Sequence, residues 1–328
     1  MAGESGHTDY CSGISAIASA FLWLAAVVLG ILVDANGVCF NNLRFAIFQN
    51  KSYTVYSSWM TEITPAKWTF SMSAFTYTWN MLWVVYCVAN MCPPAKHNAR
   101  ENVSQCVNIF PTSFHILWSL CSITHAGWLL LWDREAFVAS LFMQVFMIAG
   151  CITCLVISHK KISCCGALLQ YRRPWDLWVA RTLVQNGITI IVVWNTFLLS
   201  INLIILLVFK AKVEMQVAST VVWSVFILLV ALWIFIDIAV MDAWLRYTFT
   251  FYPTVVWIAC GVMSNNFVMW SPVTIASVAL VGLSILGITI RVPLVVFRSF
   301  TNPLYIEQTI PHKVDITRRK NGLVTTVL

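Results

Sequence analysis

Eight stretches of this chain, 14–33, 66–91, 111–132, 135–157, 180–208, 218–241, 253–269 and 272–297, each carry no more than one Asp, Glu, Lys or Arg. A helix needs about 20 apolar residues to cross roughly 30 Å of hydrocarbon, and lipid offers no partner to an unpaired backbone group. The expected fold is therefore all-α, a polytopic membrane helical bundle of about eight transmembrane helices. Composition agrees, with 59% of the 328 residues hydrophobic and 10% charged, against about 25% charged in a soluble domain. No basic region precedes the first run and no small-residue cleavage site follows it, so it reads as a retained span and not a signal peptide.

The net charge of +7 does not point to nucleic acid, because the basic residues are spread through membrane loops with no soluble domain to carry them. Their distribution speaks to topology. One side of an eight-span chain holds Lys96, Arg100, Lys160, Lys161, Arg172, Arg173, Arg246, Arg298, Lys313, Arg318, Arg319 and Lys320; the other holds Arg44, Lys51, Arg134, Lys210 and Lys212. By the positive-inside rule both termini are expected in the cytosol. Two glycosylation sequons, at Asn50 and Asn102, then fall on opposite sides, and Asn50 is the one expected to be glycosylated. Five of the eleven cysteines sit inside spans, and the eleven are not expected to make a disulfide framework. Cys151 and Cys154 are expected to pack, while Cys164 and Cys165 beside the membrane are either palmitoylated or plain thiols.

The first loop, 34–64, is long and carries Phe40, Phe45, Phe48, Tyr53, Tyr56 and Trp59, which predicts a segment folded back over the helix ends. Thr64 then reads as an N-cap, with Pro65 at the first helical position. Along the following helix Trp68, Phe75, Trp79, Trp83 and Tyr86 recur at spacings of seven, four, four and three and share one face. Such a stripe either fills a helix interface or lines a flat cavity; tight packing in lipid usually uses small residues.

The run Thr64-Pro65-Ala66-Lys67-Trp68-Thr69-Phe70 with its aromatic helix resembles the start of the second span in the TspO/MBR family, the translocator and tryptophan-rich sensory proteins. Trp118, Trp128 and Trp132, and the segment LVQNGITIIVVWNTFLLSINL from Leu183 to Leu203, support the resemblance. The chain departs from the longer relatives at Lys67, which replaces a small residue, and at Ser73, where they tend to carry a tryptophan. The resemblance implies a five-helix membrane unit over 1–209, a three-helix extension over 210–297 and a cytosolic tail over 298–328. It also implies an intramembrane cavity for a flat lipophilic molecule such as a porphyrin, haem or sterol. Carried over by position, Pro65, Trp68, Phe75 and Trp79 would line its mouth, with Trp83 and Trp118 further along.

Polar side chains in lipid are costly and tend to face a bundle interior. His115 and His125 in the third span are candidates to ligate a haem iron or bond a propionate, or to be satisfied by a neighbouring carbonyl. Asn195 and Asn202, seven apart, either reach a ligand or bridge helices, as does Asn186. Asp237 and Arg291 are expected to pair, as a structural element or as part of an ion path; Asp242 and Arg246 are spaced for an ordinary helical pair. Leu169 to Arg173 fits a cholesterol-contact pattern that recurs by chance.

Asn302-Pro303-Leu304-Tyr305 matches an NPxY motif for phosphotyrosine-binding adaptors, and the terminal Thr326-Val327-Leu328 fits a PDZ ligand; together they favour the plasma membrane. No hydrolase elbow, phosphate loop, HExxH helix or kinase set is present, so an enzyme is not expected. A binder or transporter of a flat lipophile is the first reading, open to homo-oligomerisation. An ion or solute transporter using Asp237 and Arg291 is the second. A signalling receptor, suggested by Asp133-Arg134-Glu135, is the third.

Overall fold

The computed structural model describes residues 2–34, 47–50, 52–89 and 109–305. The sequon at Asn102, the cysteines flanking it, most of the first loop's start and the PDZ-type end lie outside the described residues. Among the described residues every element is helical: α1 (Ala2–Asp34), α2 (Ser52–Ser58), α3 (Ser71–Ala89, entered through a 3-10 turn at Lys67–Phe70), α4 (Thr112–Asp133), α5 (Phe137–Arg172), α6 (Pro174–Lys210), α7 (Met215–Val240), α8 (Asp242–Leu245), α9 (Phe251–Asn266) and α10 (Pro272–Thr301). Each of the eight apolar runs centres on one of these helices. Among the described residues six helices, α1, α4, α5, α6, α7 and α10, are long and apolar enough to cross a membrane. The other two fall short for different reasons. Hydroxyls, indoles and Asn80 dilute α3, and the 16 residues of α9 reach only about 24 Å.

Helix α6 is the axis of the bundle. Of its most apolar window 67% is buried, against 28% for α7, and from Asn186 to Ile205 it is buried on nearly every side, as a helix apolar all round must be. A hydrophobic core runs from Trp128, Trp132 and Trp194 through Trp223 and Phe226 of α7 to Val255 of α9 and Leu280 of α10. Around its N-terminal part a second core joins α1, α3, α4 and α5 through Trp23, Trp83, Phe114, Trp118 and Cys151. Cys151 and Cys154 are fully buried there.

Irregular turns of α6 mark where other elements grip it. The stretch Ala180–Gln185 winds as a π-helix, a local widening frequent at functional sites. It frees the Arg181 carbonyl, which accepts from Asn186 Nδ2 at 2.8 Å. The same amide donates to the Tyr247 carbonyl at 2.8 Å, and its oxygen accepts from the backbone N–H of Phe249 and Thr250 at 2.9 and 3.0 Å. One side chain thus holds the whole turn between α8 and α9.

The sequence-based cap is corrected. Thr64 does not cap α3: its hydroxyl accepts from the Thr61 N–H at 2.9 Å, closing a turn, and Ala66 stands at the cap position without a side-chain bond. The start of α3 is instead docked on α9. Thr64 O accepts from the amides of Asn265 and Asn266, Ala66 N–H donates to Gly261 O at 3.0 Å, and Trp257 Nε1 donates to Thr69 O at 3.1 Å.

Candidate functional site

The candidate site is a small cavity where α1, α3, α4, α5 and α6 meet, lined by Trp23, Ser73, Thr76, Tyr77, His125, Trp128, Met147, Ile191, Trp194, Asn195 and Leu198. Helix α3 turns Ser73, Thr76 and Tyr77 to it, three and four residues apart as one helical face requires. Thr76 satisfies its own hydroxyl on the Met72 carbonyl. Ser73 accepts from Trp194 Nε1 at 3.1 Å, so the ring beside this position is supplied by α6 and not by α3.

Tyr77 crosses to α4, where its hydroxyl lies 2.9 Å from His125 Nε2. Gly30 of α1 makes that crossing possible: a Cβ there would stand 2.5 Å from the Tyr77 hydroxyl. His125 stacks on Trp128 with centroids 5.6 Å apart and lies 6.3 Å from the Trp23 ring. His125 and Asn195 are only 4% and 3% exposed. Asn195 Nδ2 donates to the Ile191 carbonyl at 2.9 Å, which fixes the amide and leaves Oδ1 as its free end. Among the described residues His125 Nδ1, Asn195 Oδ1 and the indole N–H groups of Trp23 and Trp128 have no hydrogen-bond partner. The cavity encloses about 20 Å³, room for one oxygen-sized group. In this conformation a tetrapyrrole does not fit.

Of the residues singled out in the sequence, His125 and Asn195 line this cavity; the others lie elsewhere. Trp68 is 44% and Phe75 49% exposed on the outside of the bundle; Trp68 meets Trp257 edge to face and donates to Ser264 Oγ at 3.4 Å. Pro65 is buried beneath α9. Trp79 donates to the Leu183 carbonyl at 3.1 Å. Trp83 donates to Asn80 Oδ1 at 2.9 Å and packs on Trp118, centroids 4.8 Å apart. His115 Nδ1 lies 3.2 Å from Ser19 Oγ. The Asn202 amide is 2.7 Å from the Ser140 hydroxyl and bridges α6 to α5. Sequence reasoning missed Trp23, Ser73, Thr76, Tyr77 and Trp194. The signal was the hydroxyl and amide face of α3, Ser73, Thr76 and Asn80, which adjoins the aromatic stripe at Trp83.

A second cluster lies at the end of the bundle where α7, α8, α9 and α10 meet. Arg291 pairs with Asp237 at 2.8 Å and with Asp242 at 2.7 Å, and Tyr252 OH donates to Asp237 Oδ2 at 2.6 Å. Arg246 and Arg298 close on Asp242 at 2.8 and 2.9 Å. Burial pushes the Asp242 carboxyl up, but hydrogen bonds from Arg246 and Arg298, with the charges of Arg246 and Arg291, outweigh it and hold the group below the usual carboxylate range. Beside this cluster Tyr305 of the NPxY motif is docked on the bundle. Its hydroxyl accepts from Arg181 Nη2 and donates to Ile162 O, both at 3.1 Å, and its ring lies over Gly166. Asp133 binds the other end of the molecule: its carboxylate accepts from the Gln49 and Asn50 N–H groups at 2.9 and 2.6 Å, and Asn50 Nδ2 donates to its carbonyl.

Residues 17–291, from the first apolar helix to Arg291 of α10, match the family model described as TSPO-like protein. The chain belongs to this TSPO-like family. The match takes in α3 with its Thr64-to-Phe70 entry, the cavity and most of α10, so the helices after 210 are part of what the family model covers. With its six long apolar helices this TSPO-like chain is an integral, multi-pass membrane protein. No curated protein and no solved structure matches it.

Proposed function

We propose that this TSPO-like chain binds a flat lipophilic small molecule, of the porphyrin, haem or sterol class, inside its helical bundle, and carries or senses it without catalysing its conversion. The observation that carries this reading is the aromatic cavity at the meeting of α1, α3, α4, α5 and α6, with buried polar atoms that have no partner among the described residues. Apolar walls with a few convergent polar groups are the usual make-up of a small-molecule site. The ligand-contact set we propose centres on His125 and Asn195, with Trp23, Tyr77, Trp128 and Trp194. Trp68 and Phe75, exposed on the outside, are better suited to lipid contact. The small enclosed volume makes this the closed form, which a ligand of tetrapyrrole or sterol size must open.

The remaining parts of the proposal concern setting and partners. The end of the bundle that holds Lys160, Lys161, Arg173, Arg246 and Arg298 would face the cytosol, in a plasma-membrane orientation with both termini inside and a glycan at Asn50. Adaptors of the phosphotyrosine-binding or PDZ type would meet the tail. The test is titration of purified protein with a porphyrin and with a fluorescent sterol. Saturable binding in the micromolar range, weakened at least tenfold in Trp194→Ala, is the expected result. Absence of binding by both probes sinks the reading.

A further inference from the structure

The cavity's polar groups carry information about the head group they would meet. Among the described residues, four buried atoms on side chains that line it are without partners: His125 Nδ1, Asn195 Oδ1 and the N–H groups of Trp23 and Trp128. Leaving a buried donor or acceptor unmade is expensive, so whatever enters must satisfy them. Asn195 Oδ1 only accepts, because its Nδ2 is committed to the Ile191 carbonyl. The indoles only donate. His125 shares its Nε2 with the Tyr77 hydroxyl, and Nδ1 then donates or accepts according to tautomer. No Lys, Arg, Asp or Glu is among the lining residues.

From this we infer that the cavity is a receptor for a single neutral hydroxyl, so that within the proposed function the bound lipophile is an uncharged alcohol. A hydroxyl donates to Asn195 Oδ1 while accepting from an indole or imidazole N–H, and it fits either tautomer of His125. A carbonyl oxygen accepts but cannot donate, and leaves Asn195 Oδ1 orphaned. A carboxylate adds a buried charge with no cation to meet it, which argues against a propionate-bearing ring system at this point. The enclosed volume of about 20 Å³ suits one oxygen; the ring system would part the tryptophan walls around it. A water molecule shares this chemistry, and only a bound ligand can distinguish the two occupants.

The inference rests on the proposed function, and one experiment separates their fates. The full chain in nanodiscs is titrated with pyrene, 1-hydroxypyrene, 1-pyrenecarboxaldehyde and 1-pyrenecarboxylate, followed by energy transfer from tryptophan. The expected order is 1-hydroxypyrene tightest, by about tenfold over pyrene, with the carboxylate weakest. In His125→Phe and in Asn195→Ala the ratio of 1-hydroxypyrene to pyrene affinity falls to about one, and a retained melting transition reports that the variants fold. Equal binding of pyrene and 1-hydroxypyrene overturns the inference, leaves a water as the cavity's occupant and spares lipophile binding. Preference for the aldehyde or the carboxylate likewise overturns it. If no pyrene binds, the inference falls together with the lipophile-binding reading.

Discussion

Ser73 shows how much one residue decides in this bundle. Where the resembled relatives tend to carry a ring, the hydroxyl leaves room for Trp194 to come across from α6 and donate to it, so the wall is aromatic by a different route. Gly30 works in the same way for Tyr77, since any Cβ would press on the phenol that meets His125. Gly30→Ala is expected to cost about 1–3 kcal/mol, read as a lower melting temperature in detergent, and to weaken ligand binding together with stability. Gly30→Ala melting like the parent would show that Tyr77 moves freely and does not define the site. These contacts were out of reach of the sequence for a simple reason. Spacing along α3 assigns residues to faces, but which face meets a cavity and which meets lipid depends on neighbours far away in the chain. In water the tryptophan stripe would be the inner face. In lipid an exposed ring costs little, and Trp68 and Phe75 point outward while Trp83 and the hydroxyls of Ser73 and Thr76 point in.

At the scale of elements, α6 is fixed by buried amides. Asn186 serves two carbonyls and two N–H groups at the π turn. Asn186→Ala orphans the N–H groups of Phe249 and Thr250 and should cost on the order of 3 kcal/mol, detected as a lower melting temperature with early proteolysis between α8 and α9; resistance to both would mean that the turn is held by other contacts. The charge cluster at the same end behaves as a clamp between α7, α8 and α10. Removing one partner of a buried pair costs about 3–5 kcal/mol, whereas replacing both by apolar groups of similar volume is often near neutral. Asp237→Leu should therefore destabilise strongly, and Asp237→Leu with Arg291→Met should lose less than the sum of the single changes. A flux that vanishes in Asp237→Asn while stability is kept would favour an ion path instead. Asp242 gives the cluster a pH signature. A carboxyl held below its unfolded value contributes fully above that value, about 3.9, and loses its contribution as pH falls through the lower folded value. Melting temperature should accordingly include a fall below about pH 4 that Asp242→Asn reduces; an unchanged acid limb in that variant would remove Asp242 as its source. The i,i+4 spacing of Asp242 and Arg246 was readable in the sequence; the convergence of Arg291 and Arg298 on the same carboxylate came only with the packing of α10.

For the whole molecule, the contacts define two ends. One joins Asp133 to Gln49 and Asn50, Trp59 to Phe137 and Phe209, and Thr64 to Asn265 and Asn266. The other joins Asn186 to Tyr247, Arg246 to Asn302, and Arg181 and Ile162 to Tyr305. Helix α3 runs from the first end to the second, where Tyr86 meets Asp176, and α9 runs back from Thr250 to Asn266. Both therefore have the course of a crossing helix although neither has the length and apolarity of the other six. A short α9 can cross because its partners satisfy its polar groups and its tip, Phe267 to Trp270, is apolar and exposed, with relative exposures of 60% to 81%. If both cross, residues at 212 and 269 share one side of the membrane and residue 244 lies on the other. Lys212→Cys and Met269→Cys, each in a chain whose cysteines at 11, 39, 92, 106, 164, 165 and 260 are serine, should react or resist an impermeant maleimide according to that division in sealed vesicles of one orientation. Trp244→Cys should do the opposite of Lys212→Cys. Labelling of positions 212 and 244 from the same side would mean that α7 does not cross as drawn, and a reagent that reaches 269 and 244 from one side would remove α9 from the set of crossings. The apolar tip adds its own check: buried in the interface, position 269 should react more slowly than 212 even from the correct side.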